Sequence, residues 1–227
     1  MIGITFALPS ESSDLRRRLR AIQKDHDLLF GKIDDRDVAI VHTGVGEKHC
    51  QARLESLLHK ARPRLLISSG FAGAVTNELH SGDLILAQNV SDQELLARAS
   101  GIVRESRTVK LFTASTVVDS IEERNKIALQ SGAAAVDMET GAIANVCNAH
   151  GVPFLSLRAI SDSPAEPFPA PMSVLFDVEH QRTSVGRLLA YILRDPGSGW
   201  RLIRFGKQIA RVRANLTDAI VASVKVL

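Results

Sequence analysis

Three short clusters of glycine and acidic residues follow apolar stretches, and their side chains could carry chemistry. They occupy residues 70–73, 136–139 and 158–162. The glycine cluster has neither the lysine of a P-loop nor full GxGxxG spacing, so it does not support a nucleotide-phosphate cradle, and its glycines can be plain turns. Glu139 and Asp162 suit acid–base catalysis. Each also has a structural interpretation, Glu139 as a carboxylate at a helix N-terminus and Asp162 as the N-cap of a turn.

The elements that must position these clusters alternate between strands and helices. The predicted strands are 2–7, 28–33, 38–42, 64–68, 84–88, 133–137 and 153–160, and the predicted helices are 12–24, 47–60, 121–129 and 140–150. A hairpin turn is expected at 34–37, and a short helix with an exposed connection in 91–110. This order predicts an α/β fold, a three-layer α/β/α sandwich with a mixed, largely parallel central sheet. Ligands in such sheets lie beyond the carboxyl ends of the strands.

Composition bounds the class of protein. The 227 residues are 45% hydrophobic and 23% charged, which predicts a single globular domain spanning 1–227. A net charge of +3 without a nucleic-acid-binding motif argues against a nucleic-acid partner. We find neither a membrane-spanning apolar run nor a signal peptide, and expect a soluble cytoplasmic protein. Cys50 and Cys147 lack metal-ligand spacing and are expected to be reduced and buried.

The last third of the chain has a different pattern. Four prolines make 163–172 an extended loop, expected to form a lid or rim. The segment 184–226 is expected to be helical, basic and amphipathic, with helices at 184–193 and from Trp200 to about Val226. Either it packs on the body with a solvated basic face, or its face meets anionic lipid or covers an apolar substrate.

Several ordered motifs carry a resemblance to a known family. VDMETGAIA at 136–144 and PFLSLRAISD at 153–162 resemble the signature of the superfamily of purine nucleoside phosphorylases and 5′-methylthioadenosine/S-adenosylhomocysteine nucleosidases. SSGFAGAVTNELHSGDLILA at 68–87 and HTGVGEKHC at 42–50 resemble its two glycine turns. IGITFALPSES at the start resembles the nucleosidase N-terminus, and places Glu11 on the family's acid after the first strand.

The resemblance implies a nucleoside phosphorylase-like fold and a role for each matched residue. Asp162 would protonate the leaving purine, Glu139 would bind the ribose hydroxyls, and Glu11 would activate the attacking water. This fits a bond whose cleavage produces an oxocarbenium-like sugar. Met138 would pack on the sugar, and Arg158 would hold the carboxylates. The remaining substrate-binding candidates are Phe71, Ala72, Gly73, Val117, Val118 and Asp137. No cofactor or metal is implied, and a homodimer or larger homo-oligomer is expected.

Hydrolysis and phosphorolysis are both known on this fold. Many of the phosphorylases place an arginine before the glycine turn, where this chain has Ile67, Ser68 and Ser69. Arginine is the preferred phosphate donor, so its absence there and the presence of Glu11 favour hydrolysis. A phosphate-dependent phosphorylase remains the first alternative. A binding or membrane-associated protein without turnover is the second.

This sequence departs from the pattern of the methylthioadenosine nucleosidases at several positions. These departures bear on the pocket for the 5′ substituent of the substrate. Phe71 stands where serine is usual, Asp137 replaces a glutamate, and Val117 and Val118 lie near the usual adenine-stacking aromatic residue. Together with the proline loop and basic tail, these resemble the hopanoid-associated phosphorylases, which are thought to act on adenosylhopane. The expected substrate is therefore a 5′-modified adenosine, of thioether or adenosylhopane type.

Overall fold

A ten-stranded mixed sheet forms the middle of the molecule in a computed structural model that describes residues 1–170, 191 and 194–227. The strands are β1 (Ile2–Phe6), β2 (Arg20–Asp25), β3 (Leu28–Ile33), β4 (Arg36–His42), β5 (Leu66–Ala74), β6 (Leu84–Ala87), β7 (Arg107–Val109), β8 (Leu111–Thr113), β9 (Ala135–Asp137) and β10 (Phe154–Asp162). The described helices are α1 (Ser13–Arg18), α2 (Glu47–Ala61), α3 (Gln93–Ile102), α4 (Ile121–Ser131), α5 (Thr140–Ala149) and α6 (Pro196–Val226).

The centre of the sheet is parallel. The main path runs β2-β3-β4-β1-β5-β10-β6-β7, and β4, β1, β5 and β10 all point the same way. The hairpin β3–β4 and strand β2 extend one side, while β9 and β8 join near the end of β5. The carboxyl ends of the central strands therefore meet at one edge, where such sheets place their ligands.

Helices cover both faces of this sheet. Because side chains alternate along a strand, Val38 and Ile40 face a core formed with α1, α3 and α6, whereas Ala39 and Val41 face α2 and α5. Helix α4 packs with β9 beyond the end of β5, through Ile127 and Val136. The predicted α/β/α sandwich is confirmed.

The predicted helix 12–24 is wrong in its second half. Helix α1 ends at Arg18, and residues 20–25 form β2, paired antiparallel with β3. All six residues of β2 are exposed. They provide no apolar stripe that would hold a longer helix on the body, whereas the open edge of β3 offers main-chain hydrogen-bond partners.

Strands β5 and β10 are longer than predicted. Strand β5 runs through Gly70 and Gly73 to Ala74, so these glycines are not turn residues. Its pairing with β10 and β9 keeps this part of the chain extended. Strand β10 likewise continues to Asp162, which is therefore not the N-cap of a turn. Short strands β7 and β8 were also not predicted.

Helix α6 crosses the α1 side of the sheet. Its second half contributes Val212, Leu216 and Ile220 to the core, and the Arg213 side chain pairs with Asp14 of α1 at 2.7 Å. This half of α6 thus packs on the body. Of the predicted helix 184–193, only Tyr191 lies within the described residues. Among the helices described, none is long and apolar enough to cross a membrane. Both cysteines are free and buried, as expected.

Candidate active site

A cavity of about 450 Å³ lies at the carboxyl ends of the central strands. It brings together every candidate residue from the sequence except Arg158. These residues are Glu11, Phe71, Ala72, Gly73, Val117, Val118, Asp137, Met138, Glu139 and Asp162. Segments more than 150 residues apart in the chain thus supply four carboxyl groups, those of Glu11, Asp137, Glu139 and Asp162, to one space.

Asp162 is held at the end of β10 by two side-chain donors. A register shift after Ile160 places it opposite Gly73, where it is 1% exposed. Its Oδ1 accepts a hydrogen bond from the Ser161 hydroxyl at 2.6 Å, and its Oδ2 is bound by Arg124. Burial raises the pKa of Asp162, while the Arg124 guanidinium and the Ser161 hydroxyl oppose that rise. A carboxyl whose pKa is raised is suited to donate a proton near neutral pH.

Glu139 is the residue that precedes helix α5. Its side chain does not cap that helix but accepts a hydrogen bond from the Gly46 backbone N–H at 3.0 Å. Gly46 has a φ of +90°, a backbone conformation that favours glycine. Burial, helped by the negative charge of Asp137, raises the pKa of Glu139 to about 7 despite the opposing charge of Arg158.

Glu11 lies between β1 and α1 and is fixed by backbone donors. The Leu8 N–H donates to its Oε2 at 2.9 Å and the Phe71 N–H to its Oε1 at 3.3 Å. Burial raises its pKa, which makes the carboxylate a stronger base. A side chain at Gly70 would crowd this arrangement, because its Cβ would lie 3.0 Å from Glu11 Oε1 and 3.1 Å from Arg158 Nη1.

Arg158 lies behind the cavity wall. It donates to Asp137 Oδ2 at 3.1 Å and to the Ser68 and Thr140 hydroxyls at 2.8 Å each. Its positive charge lowers the pKa of both Glu11 and Glu139, although burial outweighs it in each case. Asp137 also lines the cavity, but Arg158 and the Thr113 and Thr140 hydroxyls bind its carboxylate.

An apolar wall closes the side of the cavity nearest the C-terminal region. It consists of Phe168 from the proline loop and Phe205 and Ile209 from α6. The two phenyl rings meet edge to face, with centroids 5.5 Å apart. We did not predict these residues individually. The signal for two of them is the i, i+4 spacing of Phe205 and Ile209 on the apolar stripe of α6.

Arg124 also lines the cavity, and the sequence did not identify it. It lies in IEERNKIALQS, a run that resembles an exposed helix, yet it is 2% exposed. Among the described residues it is the cavity's only lysine or arginine. Because its partners come from β5, β10 and the loop before α4, no local pattern could have indicated its position.

Asp162, Glu139 and Glu11 line the same cavity. A group bound between them could be protonated by Asp162 while Glu139 stabilised positive charge on a sugar and Glu11 accepted a proton from water. Within the part of the chain that the structure describes, no three His, Cys, Asp or Glu side chains are grouped to hold a metal ion.

The family profile described as the phosphorylase superfamily matches residues 1–107 and 91–194. This chain belongs to the phosphorylase superfamily. One of its curated relatives is the 5′-methylthioadenosine/S-adenosylhomocysteine nucleosidase of Staphylococcus aureus strain bovine RF122, which is 28% identical to this chain over 196 residues. That alignment covers 71% of this chain and 86% of the relative.

Solved structures of other proteins share the fold. The 5′-methylthioadenosine/S-adenosylhomocysteine nucleosidase of Campylobacter jejuni aligns with a TM-score of 0.76 at 19% identity, covering 100% of this chain and 99% of the other. The futalosine hydrolase of Helicobacter pylori aligns with a TM-score of 0.63 at 22% identity, covering 71% of this chain and 84% of that one. The neighbours that share this fold thus include a nucleosidase and a futalosine hydrolase.

Proposed function

We propose that this chain is a nucleosidase that hydrolyses the N-glycosidic bond of a 5′-modified adenosine and releases adenine. The observation that carries the proposal is the convergence of Glu11, Glu139 and Asp162, all buried, on one cavity. Relatives with nucleosidase activity on adenosine derivatives support it.

The proposed reaction uses the three carboxyl groups in turn. Asp162 gives its proton to N7 of the purine, and the electron pair of the C1′–N9 bond leaves with the base. Glu139 stabilises the cationic sugar through the ribose hydroxyls. Water then attacks C1′, and Glu11 takes the proton that the water loses. The Gly46 backbone N–H, which donates a hydrogen bond to the Glu139 carboxylate at 3.0 Å, holds Glu139 for that role.

Charge in the cavity favours water over phosphate as the nucleophile. The Arg124 guanidinium is committed to Asp162 and to two backbone carbonyls. A phosphate near the sugar would instead face Glu11 and Glu139, whose raised pKa values already reflect low dielectric around them. Phosphorolysis on the same fold is the second candidate, because the superfamily contains both reactions.

The apolar wall supports an apolar substituent at the 5′ carbon, of thioether type or, by resemblance to the hopanoid-associated subgroup, of adenosylhopane type. We expect Phe205→Ser to raise the KM for such substrates about tenfold, equivalent to ~1.4 kcal/mol of lost apolar contact. Steady-state adenine release from 5′-substituted adenosines measures this. Phe112→Ser is the matched control, since Phe112 is a partly exposed β8 residue outside the cavity. An equal KM change in both variants, or none in Phe205→Ser, would count against the assignment.

The outer face of α6 supports contact with an anionic lipid surface. Trp200 and Ile203 are 71% and 55% exposed. At helical spacing they share this face with Arg204, Lys207 and Arg211, and the chain has no acidic residue between Trp200 and Asp218. The opposite face of the same helix carries Phe205 and Ile209 into the cavity. Apolar and cationic side chains together are what interfacial helices present to anionic membranes.

Flotation with vesicles tests this contact. Vesicles of phosphatidylcholine and phosphatidylglycerol should carry the protein upward, whereas pure phosphatidylcholine should not. Arg204→Ser combined with Lys207→Ser should abolish flotation, and Arg20→Ser with Lys24→Ser, on the exposed strand β2, should leave it unchanged. Absence of wild-type flotation with anionic vesicles would exclude the contact.

Cytoplasmic location and a homodimer or larger homo-oligomer complete the proposal. Both rest on the superfamily resemblance and on composition. The function itself is tested by incubating the protein with adenosines that carry neutral, charged and long apolar 5′ groups and following adenine release. Cleavage of at least one apolar member supports the proposal, and no release from any member would refute it.

A further inference from the structure

Arg124 joins three elements around one wall of the cavity. Its Nη1 donates to the Ala74 carbonyl oxygen of β5 at 2.6 Å, and its Nη2 to the Val118 carbonyl oxygen before α4 at 3.2 Å. Nη2 also binds Asp162 Oδ2, at the end of β10. Arg124 and Asp162 are almost wholly buried. The same guanidinium therefore binds Asp162, the proposed general acid, and the backbone of Val118, which also lines the cavity.

A purely structural role explains this arrangement poorly. Burying an ion pair costs several kcal/mol of desolvation, and well-packed apolar side chains commonly replace such pairs without loss of stability. Arg124 also lines the cavity rather than the interior of the core. The charge thus stands where a reaction would use it.

We propose that Arg124 is a positioning residue for Asp162: its guanidinium fixes the carboxyl group at the cavity wall and stabilises the carboxylate that forms when the proton passes to the leaving base. This rests on the proposed function, in which Asp162 is the acid. Before transfer Arg124 binds a neutral carboxyl, and after transfer it binds an anion. Because the Arg124 guanidinium stays positively charged, its partner changes from a neutral carboxyl group to an opposite charge as the proton leaves, so the interaction strengthens as the bond breaks. Interactions that strengthen in the transition state accelerate the reaction.

The charges around Asp162 agree with this role. Burial raises its pKa, Arg124 and Ser161 lower it, and Asp119 raises it. Gly73, which faces it from β5, carries no charge. Without Arg124 the carboxyl would hold its proton more tightly and give it up less readily.

Two substitutions separate charge from hydrogen bonding. Arg124→Gln keeps amide donors for Asp162 and a neighbouring carbonyl oxygen but removes the charge, whereas Arg124→Lys keeps the charge. For Arg124→Gln we expect kcat to fall at least ~10-fold with KM little changed. The alkaline limit of kcat/KM should move to higher pH, because Asp162 stays protonated further up the scale. Arg124→Lys should keep the wild-type alkaline limit and recover part of kcat. In an Asp162→Asn background, Arg124→Gln should add little further loss.

A readout independent of activity completes the test. The carboxyl ¹³C resonance of Asp162, identified by its loss in Asp162→Asn, should titrate at higher pH in Arg124→Gln and near the wild-type pH in Arg124→Lys. Unchanged kcat and an unchanged alkaline limit in Arg124→Gln would overturn the proposal, as would an unchanged ¹³C titration. If wild-type protein cleaves no nucleoside, the proposed function fails, and the ¹³C titration alone still decides whether Arg124 controls the ionisation of Asp162.

Discussion

Asp162→Asn is expected to lower kcat for adenine release at least ~100-fold, in line with the loss of general acid catalysis. Asparagine has nearly the same shape, and its one carbonyl oxygen can still accept the Arg124 hydrogen bond, while its amide group can donate to the Ser161 hydroxyl. It has no proton to give the purine at neutral pH. Nucleosides whose base leaves without protonation should lose much less, so a panel of leaving groups measures the acid role directly.

Asp83→Asn is the matched control for that substitution. Asp83 is partly buried beside β6, where it pairs with Arg107, and does not line the cavity. We expect near wild-type turnover from it. Asp162→Asn with wild-type turnover, and with thermal unfolding like that of the control, would remove Asp162 from the mechanism.

Glu139→Gln is expected to lower turnover by about 100-fold, because the neutral amide cannot stabilise positive charge on the sugar. Glutamine preserves an acceptor for the Gly46 N–H. Since the pKa of Glu139 is raised to about 7, wild-type activity should also fall as pH drops below 7 and the carboxylate becomes protonated. Steady-state rates across pH measure both effects.

Glu139→Gln should lower turnover but raise the stability of the folded protein at high pH. The fold raises the pKa of Glu139 from 4.5 to about 7, so the folded protein favours the protonated form. The stability that follows from this is present below pH 4.5 and lost as pH rises through 7. Glu139→Gln should therefore have a higher Tm than wild type at pH 8 and a similar one at pH 4. A lower Tm at pH 8 together with unchanged turnover would contradict the role.

Sequence patterns predicted the fold where local signals were strong. Apolar strands such as 38–42 and capped helices such as 121–129 appeared near their predicted positions, because burial and capping are encoded in neighbouring residues. The errors lie where pairing with another strand decided the secondary structure. Residues 20–25 form a strand that pairs with the edge of β3, and Gly70 and Gly73 lie within β5, where β10 and β9 pair with it.

The candidate site likewise contains residues that the sequence predicted and one that it did not. Glu11, Glu139 and Asp162 were predicted from ordered motifs at strand ends, and the parallel sheet brings those ends together. Arg124 could not be predicted, because a buried arginine in a polar helix has no signature until its acceptors on β5 and β10 are in place. The roles of all these residues remain predictions for the experiments above.

The central claim is that this cavity uses water to break an N-glycosidic bond. The most direct measurement is a time course with a 5′-substituted adenosine in phosphate-free buffer, with the sugar product identified by mass spectrometry. We predict free sugar formed one for one with adenine, at a rate that added phosphate does not change. Adenine release that begins only when phosphate is added, with sugar 1-phosphate as the product, would contradict the claim.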